Sequence, residues 1–461
     1  MKPRPPLPPP PYLVVGLARS GVAVALALRR AEPSARIVGC DSGRSPEAGA
    51  EAERLAEAGV EIHLDTDGTE LLAGSQPPRT LVKSPGVPAH AQVVSDARTR
   101  GIEVLGELEI GWRLVPNEFC AVTGTNGKTT TVELIGEIYR AAGRPVAVAG
   151  NVGTAVSAHA GSLSPSATVV CEASSFQLED SDRFSPEIAV FLNFSEDHLD
   201  RHDTVEQYLD AKVRIFEHQS SEDVAVLNAA EPALRRRALP GAAQRVWFGV
   251  EPDCALRLKE GKLYWEDNAI LDASEVALRG PHNLENAMAA SAATLVRGVD
   301  ADSVKTALRE FGGIAHRLEG VGEVGGVLYV NDSKATNVSA TIAALRSFEG
   351  GVHVILGGSL KGSGRFGALN PVVAQRCSAA YLIGEAADRI KEDLRDSEVE
   401  LADCAELERA VSEASRRARP GETVLLAPAC ASFDQYRDFE ERGEHFRVLV
   451  ERLIASSGAN G

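Results

Sequence analysis

Short runs rich in Val, Ile and Leu alternate with longer stretches of helical period along most of the chain. YLVVG (12–16), RIVGC (36–40) and TLVKS (80–84) read as strands, and GVAVALALRRA between the first two as a crossover helix. This first unit ends near GIEVLGELE (101–109). A second opens with FCAVT (119–123) and continues through PVAVAG, ATVVCE, EIAVFLN and DVAVLN. Uninterrupted apolar strands separated by helices predict parallel α/β architecture. ALRLKEGKLYWEDNAIL (255–271) differs in kind: two alternating runs around a turn predict a hairpin on the side of the second unit. PHNLENAMAASAATLVRG (281–298) has a helical period, and FGGIAHRLEGV (311–321) reads as a hinge. A third unit follows in GVLYVNDS, GVHVILGG, AAYLIG and TVLLAPA. The expected fold is α/β, with three domains in series at 12–108, 109–313 and 314–461. MKPRPPLPPPP has no apolar segment of a secretory signal, so residues 1–11 are expected to form a disordered or polyproline II leader.

Composition narrows the chemistry. At 461 residues the chain exceeds one ordinary core, and its 44% hydrophobic and 25% charged residues are those of a soluble globular protein. A net charge of −17 argues against a nucleic-acid partner but leaves room for small anionic substrates held by a few local cations. Seven cysteines are scattered singly with no C-x-x-C pair, which reads as buried reduced thiols in a cytoplasmic protein. No window approaches the roughly 18 apolar residues of a membrane span, so no membrane insertion is expected.

TGTNGKTTT (123–131) joins the strand FCAVT to a helical stretch. A strand, glycine turn and helix direct free backbone N–H groups and the positive end of the helix dipole at one point, which suits a phosphate. Gly124 and Gly127 let the backbone approach an anion, Lys128 can reach the β- and γ-phosphates, and the Thr129 hydroxyl can bind Mg²⁺. The common G-x-x-x-x-G-K-[ST] form would place a glycine at Val122, so the cradle here is shortened. ATVVCE sets Glu172 at a strand end, where an acidic metal ligand completes such sites. NFSEDHLDRH (193–202) ends another strand with His198 between Asp197 and Asp200, a candidate for metal or substrate contact. Spacing alone does not make it a zinc site. Hard oxygen donors beside a phosphate loop point to Mg²⁺.

VVGLARSG (14–21) resembles G-x-G-x-x-G with Ala18 at the second glycine, and Asp41 follows the next strand 25 residues after Gly16. Taken alone this suits a nicotinamide dinucleotide. A sugar nucleotide could use the same helix N-terminus, and a redox cofactor leaves the second loop and the third unit without a role.

Together these segments resemble the Mur ligase family, ATP-dependent amide-forming enzymes of peptidoglycan precursor synthesis. The resemblance covers the chain beyond its proline run and rests on TGTNGKTT, SPGVP (84–88), CEASSFQLE (171–179), NFSEDHLDRH, GPHNLENA (280–287), NDSKATN (331–337) and PACASFDQYRDFEERG (428–443). The last two favour the branch that adds D-glutamate. The resemblance implies a Rossmann-like UDP-binding domain, a central P-loop ATPase-like domain and a C-terminal Rossmann-like domain that binds the amino acid. It implies UDP-sugar contacts from Gly16, Arg19, Ser20, Gly21, Asp41, Ser84, Gly86, Asn151 and His198. ATP would meet Gly124, Thr125, Asn126, Gly127, Lys128, Thr129, Thr130, Asn283, Asn286, Arg317 and Asp332, with the two asparagines at the adenine. Two Mg²⁺ sites are implied, one at Thr129 and Glu172, the other at His198 and Lys212, a lysine carbamylated by CO₂. Lys334, Thr336, Lys361, Ser432 and Phe439 would surround D-glutamate and the reaction centre. The implied substrates are UDP-MurNAc-L-Ala, D-glutamate and ATP, handled by a monomeric cytoplasmic enzyme. Two rivals are a related ligase for another amino acid and a nucleotide-gated binding protein that does not turn over.

Overall fold

In a computed structural model the described residues are 2–43, 46–74, 76–151, 153–196, 201–202, 204–278, 280–360 and 366–458. His198, with Asp197 and Asp200, and Lys361 lie outside them. The chain divides into two compact units at Phe311 and Gly312, at the start of the segment read as a hinge. The first unit holds two sheets and the second holds one.

The first sheet contains β1 (Tyr12–Val15), β2 (Ile37–Asp41), β3 (Glu61–Leu64), β4 (Thr80–Lys83) and β5 (Glu103–Gly106), in the order β3-β2-β1-β4-β5 and all parallel. β1 is buried along its whole length, which is why YLVV carries no polar alternation. The helix Arg19–Ala31 starts four residues after β1 and buries Val22, Val24, Ala25, Ala27 and Leu28 against the sheet. Its neighbours β2 and β4 lie on opposite sides of β1, so the loops after β1 and β4 part at a switch point and leave a crevice.

The central sheet runs β14-β13-β12-β11-β10-β9-β6-β8-β7. Its strands are β6 (Glu118–Thr123), β7 (Val146–Gly150), β8 (Thr168–Glu172), β9 (Ile188–Phe191), β10 (Val224–Asn228), β11 (Gln244–Gly249), β12 (Leu256–Lys259), β13 (Lys262–Trp265) and β14 (Asn268–Asp272). The strands from β7 across to β12 are parallel. The side hairpin expected over 255–271 is a three-stranded antiparallel meander, β12-β13-β14, continuous with the parallel sheet through β11. Glu260 and Gly261 both have positive φ, 51° and 76°, as a two-residue hairpin turn requires, and a further turn at Glu266 (φ 53°) returns NAILD as a separate strand. On one face, the helix Lys128–Ala141 and the helix Pro281–Leu295 share a core with Val122, Val190 and Val226. The second helix presents Ala287, Ala289, Ala290, Ala292 and Ala293, all buried, and such small side chains let the helices approach closely.

The leader departs from expectation. Residues 2–11 have no regular secondary structure but are packed along the first unit rather than disordered. Lys2 Nζ donates to Asp223 at 2.7 Å, and the Arg4 guanidinium lies 3.1 Å from Glu187 and 4.7 Å from the Trp112 ring centroid. The Pro9 carbonyl accepts from Thr80 Oγ1 at 2.9 Å and the Pro8 carbonyl from the buried Tyr12 hydroxyl at 2.7 Å. Proline already restricts its backbone, so the run loses little entropy on docking, and two cations fix its end.

The first and central sheets are joined by buried polar contacts. Lys83, at the end of β4, pairs with Asp180 at 2.6 Å, both side chains 1% exposed. Burial pushes the Asp180 carboxyl above its ordinary value even against this lysine. Glu109 accepts from Arg113 at 2.7 Å and from the backbone N–H groups of Asp182 and Arg183.

In the second unit, β15 (Glu319–Val324), β16 (Val327–Asn331), β17 (Val352–Gly357), β18 (Cys377–Ile383), β19 (Glu400–Ala405) and β20 (Thr423–Leu426) take the order β15-β16-β20-β17-β18-β19, with β15 antiparallel at one edge. All seven cysteines are free thiols and six are buried. Among the described residues no helix is long and apolar enough to cross a membrane.

Candidate functional site

β6, β8 and β9 end on the same side of the central sheet, and the residues after them converge. Gly127 caps the helix Lys128–Ala141 with φ 82°, and Gly124 has φ 146°. Lys128 Nζ folds back to the carbonyls of Gly124 at 3.1 Å and Thr125 at 2.9 Å. The loop is fastened to the segment after β9: Thr125 N donates to the Asn193 carbonyl at 3.0 Å, and Asn126 N to Asn193 Oδ1 at 2.8 Å. A Cβ on Gly127 would lie 2.1 Å from Asn286 Oδ1, so Asn286 rests directly against the turn. Asn286 Nδ2 donates to Asn283 Oδ1 at 3.2 Å. Of the two asparagines of GPHNLENA, Asn286 is therefore brought to the glycine loop, with Asn283 bonded to it.

Glu172 sits at the centre of this arrangement. Thr129 Oγ1 donates to its Oε2 at 2.7 Å and Asn151 Nδ2 to its Oε1 at 3.0 Å. A hydroxyl and a carboxylate, side by side and buried, are hard oxygen donors of the kind Mg²⁺ takes. Lys212, on the helix Val205–Val213, is 1% exposed, and its Nζ donates to the Gly124 carbonyl at 2.7 Å beneath the loop. The same ammonium lies 4.5 Å from the Tyr208 ring centroid. Among the described residues no cluster of three or more His, Cys, Asp or Glu side chains is placed to hold a metal. Among the described residues, the hydroxyl of Thr129 is the oxygen that Glu172 Oε2 meets.

Among the described residues of the segment after β9, two that the sequence left unmarked make further contacts. His202 is 4% exposed, its Nε2 lies 3.1 Å from Ser175 Oγ, and its ring stacks on Phe176 at 5.3 Å. Arg201 lies 4.2 Å from the Phe176 ring centroid and donates to the Pro85 carbonyl at 3.4 Å, so NFSEDHLDRH reaches the SPGVP loop of the first sheet. HLDRH holds two histidines, and nothing in its spacing separates them.

At the switch point of the first sheet lies a cavity of about 490 Å³. Gly16, Arg19, Ser20, Asp41, Ser84, Gly86 and Asn151 all line it. Gly21 serves the turn differently: a Cβ there would lie 1.8 Å from the Gly16 carbonyl, so only glycine allows the helix to start so close. Ser84 Oγ donates to that carbonyl at 2.6 Å. Asp41 is engaged with backbone, accepting from Leu17 N at 2.6 Å and Gly43 N at 2.8 Å. Thr66 and Asp67, just past the end of β3, also line the cavity and were not foreseen. Their only advance signal was position, since ligands bind beyond the carboxyl ends of strands in such sheets.

In the second unit, Asp332, Lys334 and Thr336 follow β16, and Ser432 follows its parallel neighbour β20. Asp332 is 6% exposed and accepts from Leu318 N at 3.3 Å. Burial pushes its carboxyl up to about 6, against the pull of the nearby Arg317 guanidinium. Lys334 Nζ lies 5.8 Å from the ring centroid of Phe439, the first residue of the helix Phe439–Gly458. Ser432 is 2% exposed.

Residues 122–294 match the Mur ligase middle domain, and residues 316–430 the Mur ligase glutamate ligase domain. Over 447 residues the chain is 40% identical to the UDP-N-acetylmuramoylalanine–D-glutamate ligase of Koribacter versatilis, across 96% of this chain and 97% of that protein. It is 42% identical over 452 residues to the enzyme of the same name from Geobacter metallireducens, across 96% and 97%. Among solved structures, MurF ligase from Thermotoga maritima in complex with ADP superposes with a TM-score of 0.57 at 18% identity, covering 91% of this chain and 96% of that one. UDP-N-acetylmuramate-alanine ligase from the same organism gives 0.56 at 19%, covering 96% and 99%. Identities this low speak for the fold alone.

Two measurements probe this geometry. Gly127→Ala should destabilise the protein by about 1–3 kcal/mol through its left-handed backbone and the clash with Asn286. Adding Asn286→Ala should recover part of that loss, and equal denaturant midpoints for the single and double variants would remove the contact from the account. The raised Asp332 value sets a sign for pH dependence. The unfolded chain gives up this proton near pH 4 and the folded one near 6, so stability falls as pH rises between them. The penalty, roughly 2–3 kcal/mol, is complete above pH 6. Asp332→Asn should abolish that slope in the unliganded protein, and unfolding curves with the same pH dependence as wild type would refute it.

Proposed function

The chain belongs to the Mur ligase family, and on that premise we propose that it is an ATP-dependent ligase joining D-glutamate to UDP-N-acetylmuramoyl-L-alanine in peptidoglycan precursor synthesis. The observation that carries the reading is likeness over 96% of the chain to ligases of that name.

A carboxylate is a poor acyl donor because its leaving group would be oxide. Transfer of the ATP γ-phosphoryl group to the L-alanyl carboxylate gives an acyl phosphate. The D-glutamate amine then attacks the acyl carbon, phosphate departs, the amine gives up a proton, and an amide remains. Such a transfer depends on positioning and electrostatics more than on covalent help from the protein. Gly124, Thr125, Asn126, Gly127 and Thr130 would cradle the phosphates with backbone N–H groups. Lys128 would exchange its two carbonyl acceptors for phosphate oxygens, a stronger partner for an ammonium. Asn283 and Asn286 would border the nucleotide beside Gly127, and we also assign Arg317 and Asp332 to the nucleotide.

Thr129 and Glu172 would hold Mg²⁺, which when bound neutralises charge on the phosphoryl group. For a second ion we assign His198 and a carbamylated Lys212. A buried ammonium beneath the phosphate loop would, as a carbamate, present two oxygens to a cation there. The sugar nucleotide would occupy the cavity at Gly16, Arg19, Ser20, Asp41, Ser84, Gly86 and Asn151, its uridine end held at the helix N-terminus. Lys334, Thr336, Lys361, Ser432 and Phe439 would receive D-glutamate. We assign a monomeric cytoplasmic enzyme.

Phosphate release from ATP with Mg²⁺ and UDP-MurNAc-L-Ala should require D-glutamate. Equal release with L-glutamate would sink the stereospecific assignment, and no release with either would favour a binding protein. Lys212→Ala should lose activity, and small added carboxylates should restore part of it. An unrescued Lys212→Ala variant with wild-type turnover would eliminate the carbamate.

A further inference from the structure

In the second unit, three segments that lead to acceptor residues meet one side chain, that of Arg442. It lies in the first turn of the helix Phe439–Gly458 and is 1% exposed. Its Nε donates to Ser333 Oγ at 3.0 Å and its Nη2 to the Ser333 carbonyl at 2.9 Å. Nη2 also donates to the Cys430 carbonyl at 3.1 Å, and Nη1 to those of Ala431 at 3.3 Å and Gly357 at 3.5 Å. Ser333 immediately precedes Lys334, Ala431 immediately precedes Ser432, and Gly357 ends β17 just before the segment that carries Lys361. Ser333 Oγ in turn donates to the Phe439 carbonyl at 2.8 Å, which closes the set on the helix's own first residue.

The chemistry of the partners bears on what this arginine does. All of them are neutral oxygens, and among the described residues no carboxylate forms an ion pair with it. Burial lowers the guanidinium to about 10, against the pull of Cys430 and Asp434 nearby, so it remains charged at neutral pH. A buried charge is an expensive way to fill a core, and the hydrogen bonds it donates to these oxygens are what offset that cost. The planar fork of arginine, with five N–H donors in fixed directions, can fix the spacing of several backbone segments at once, whereas an ammonium cannot. The next residue supports the same function. A Cβ on Gly443 would lie 2.2 Å from His316 Nδ1, so the helix start is also seated against the segment that carries Arg317.

We propose that Arg442 is a positioning residue of the amino-acid site, setting the spacing of the Ser333–Thr336, Cys430–Ser432 and Gly357 segments so that their side chains fit the acceptor. The inference rests on the acceptor reading given above. Steady-state kinetics on the full chain test it, with phosphate release as readout and each substrate varied in turn. Arg442→Lys keeps the charge and loses the fork. It should raise the D-glutamate KM tenfold or more, with the UDP-MurNAc-L-Ala KM within twofold of wild type and a near-native thermal midpoint. Ser333→Ala removes one partner and should raise the D-glutamate KM by a smaller factor, and the double variant should show less than the product of the two, since they share one network. A merely structural role would lower kcat or stability without singling out one substrate. An unchanged D-glutamate KM in Arg442→Lys, or an equal shift for all substrates, overturns the proposal. If that variant does not fold, an unchanged D-glutamate KM in Ser333→Ala does so. Absence of D-glutamate-dependent release in the unsubstituted protein would instead sink the functional reading, and this inference with it.

Discussion

Three strands of the central sheet end level with one another, where Val122 and Gly150 both stand in register with Glu172. From that point the Glu172 carboxylate takes a hydrogen bond from Thr129 on one side and Asn151 on the other. A Cβ on Gly150 would lie 2.3 Å from the Glu172 carbonyl, so the register itself needs a glycine there. One carboxylate thus ties the glycine loop to Asn151, which lines the cavity of the first sheet. Much of what the first unit does follows from that alignment, because a shift of one residue would point Glu172 to the other face of the sheet.

Around this point the polar groups of the first unit are mutually fastened. Asn193 holds the loop from one side, Asn286 bears on it from another, and Lys212 supports it from below. Contacts of this kind hold the loop in one arrangement before any ligand arrives. The second unit reaches a similar end by different means, with a buried arginine in place of a carboxylate as the common partner of several loops.

The parallel strands and the glycine loop between β6 and the helix Lys128–Ala141 were legible because they are local. A Val-rich run, a glycine turn and a helix N-terminus are read from consecutive residues. The meander was read one strand short because NAILD is only five residues long and follows a turn without glycine. The proline leader was misjudged for a different reason. Its composition resembles disorder, and the partners that fix it, Glu187 and Asp223, lie more than 180 residues away. Arg442 escaped notice because an arginine near a helix start looks like surface, and only packing shows that it is buried.

The sequence by itself determined the α/β class, the glycine turn that opens a helix at Lys128, the glycine turn at Gly16 and the family resemblance. Each rests on residue types whose backbone or chemical preferences hold in any fold. The tertiary structure decided which groups share a site: Thr129 with Glu172, Asn286 with Gly127, Lys212 with Gly124, and Arg442 with three loops. Such pairings depend on strand order and register, and those are fixed by burying both faces of each sheet at once, a constraint on the whole unit that no single segment contains.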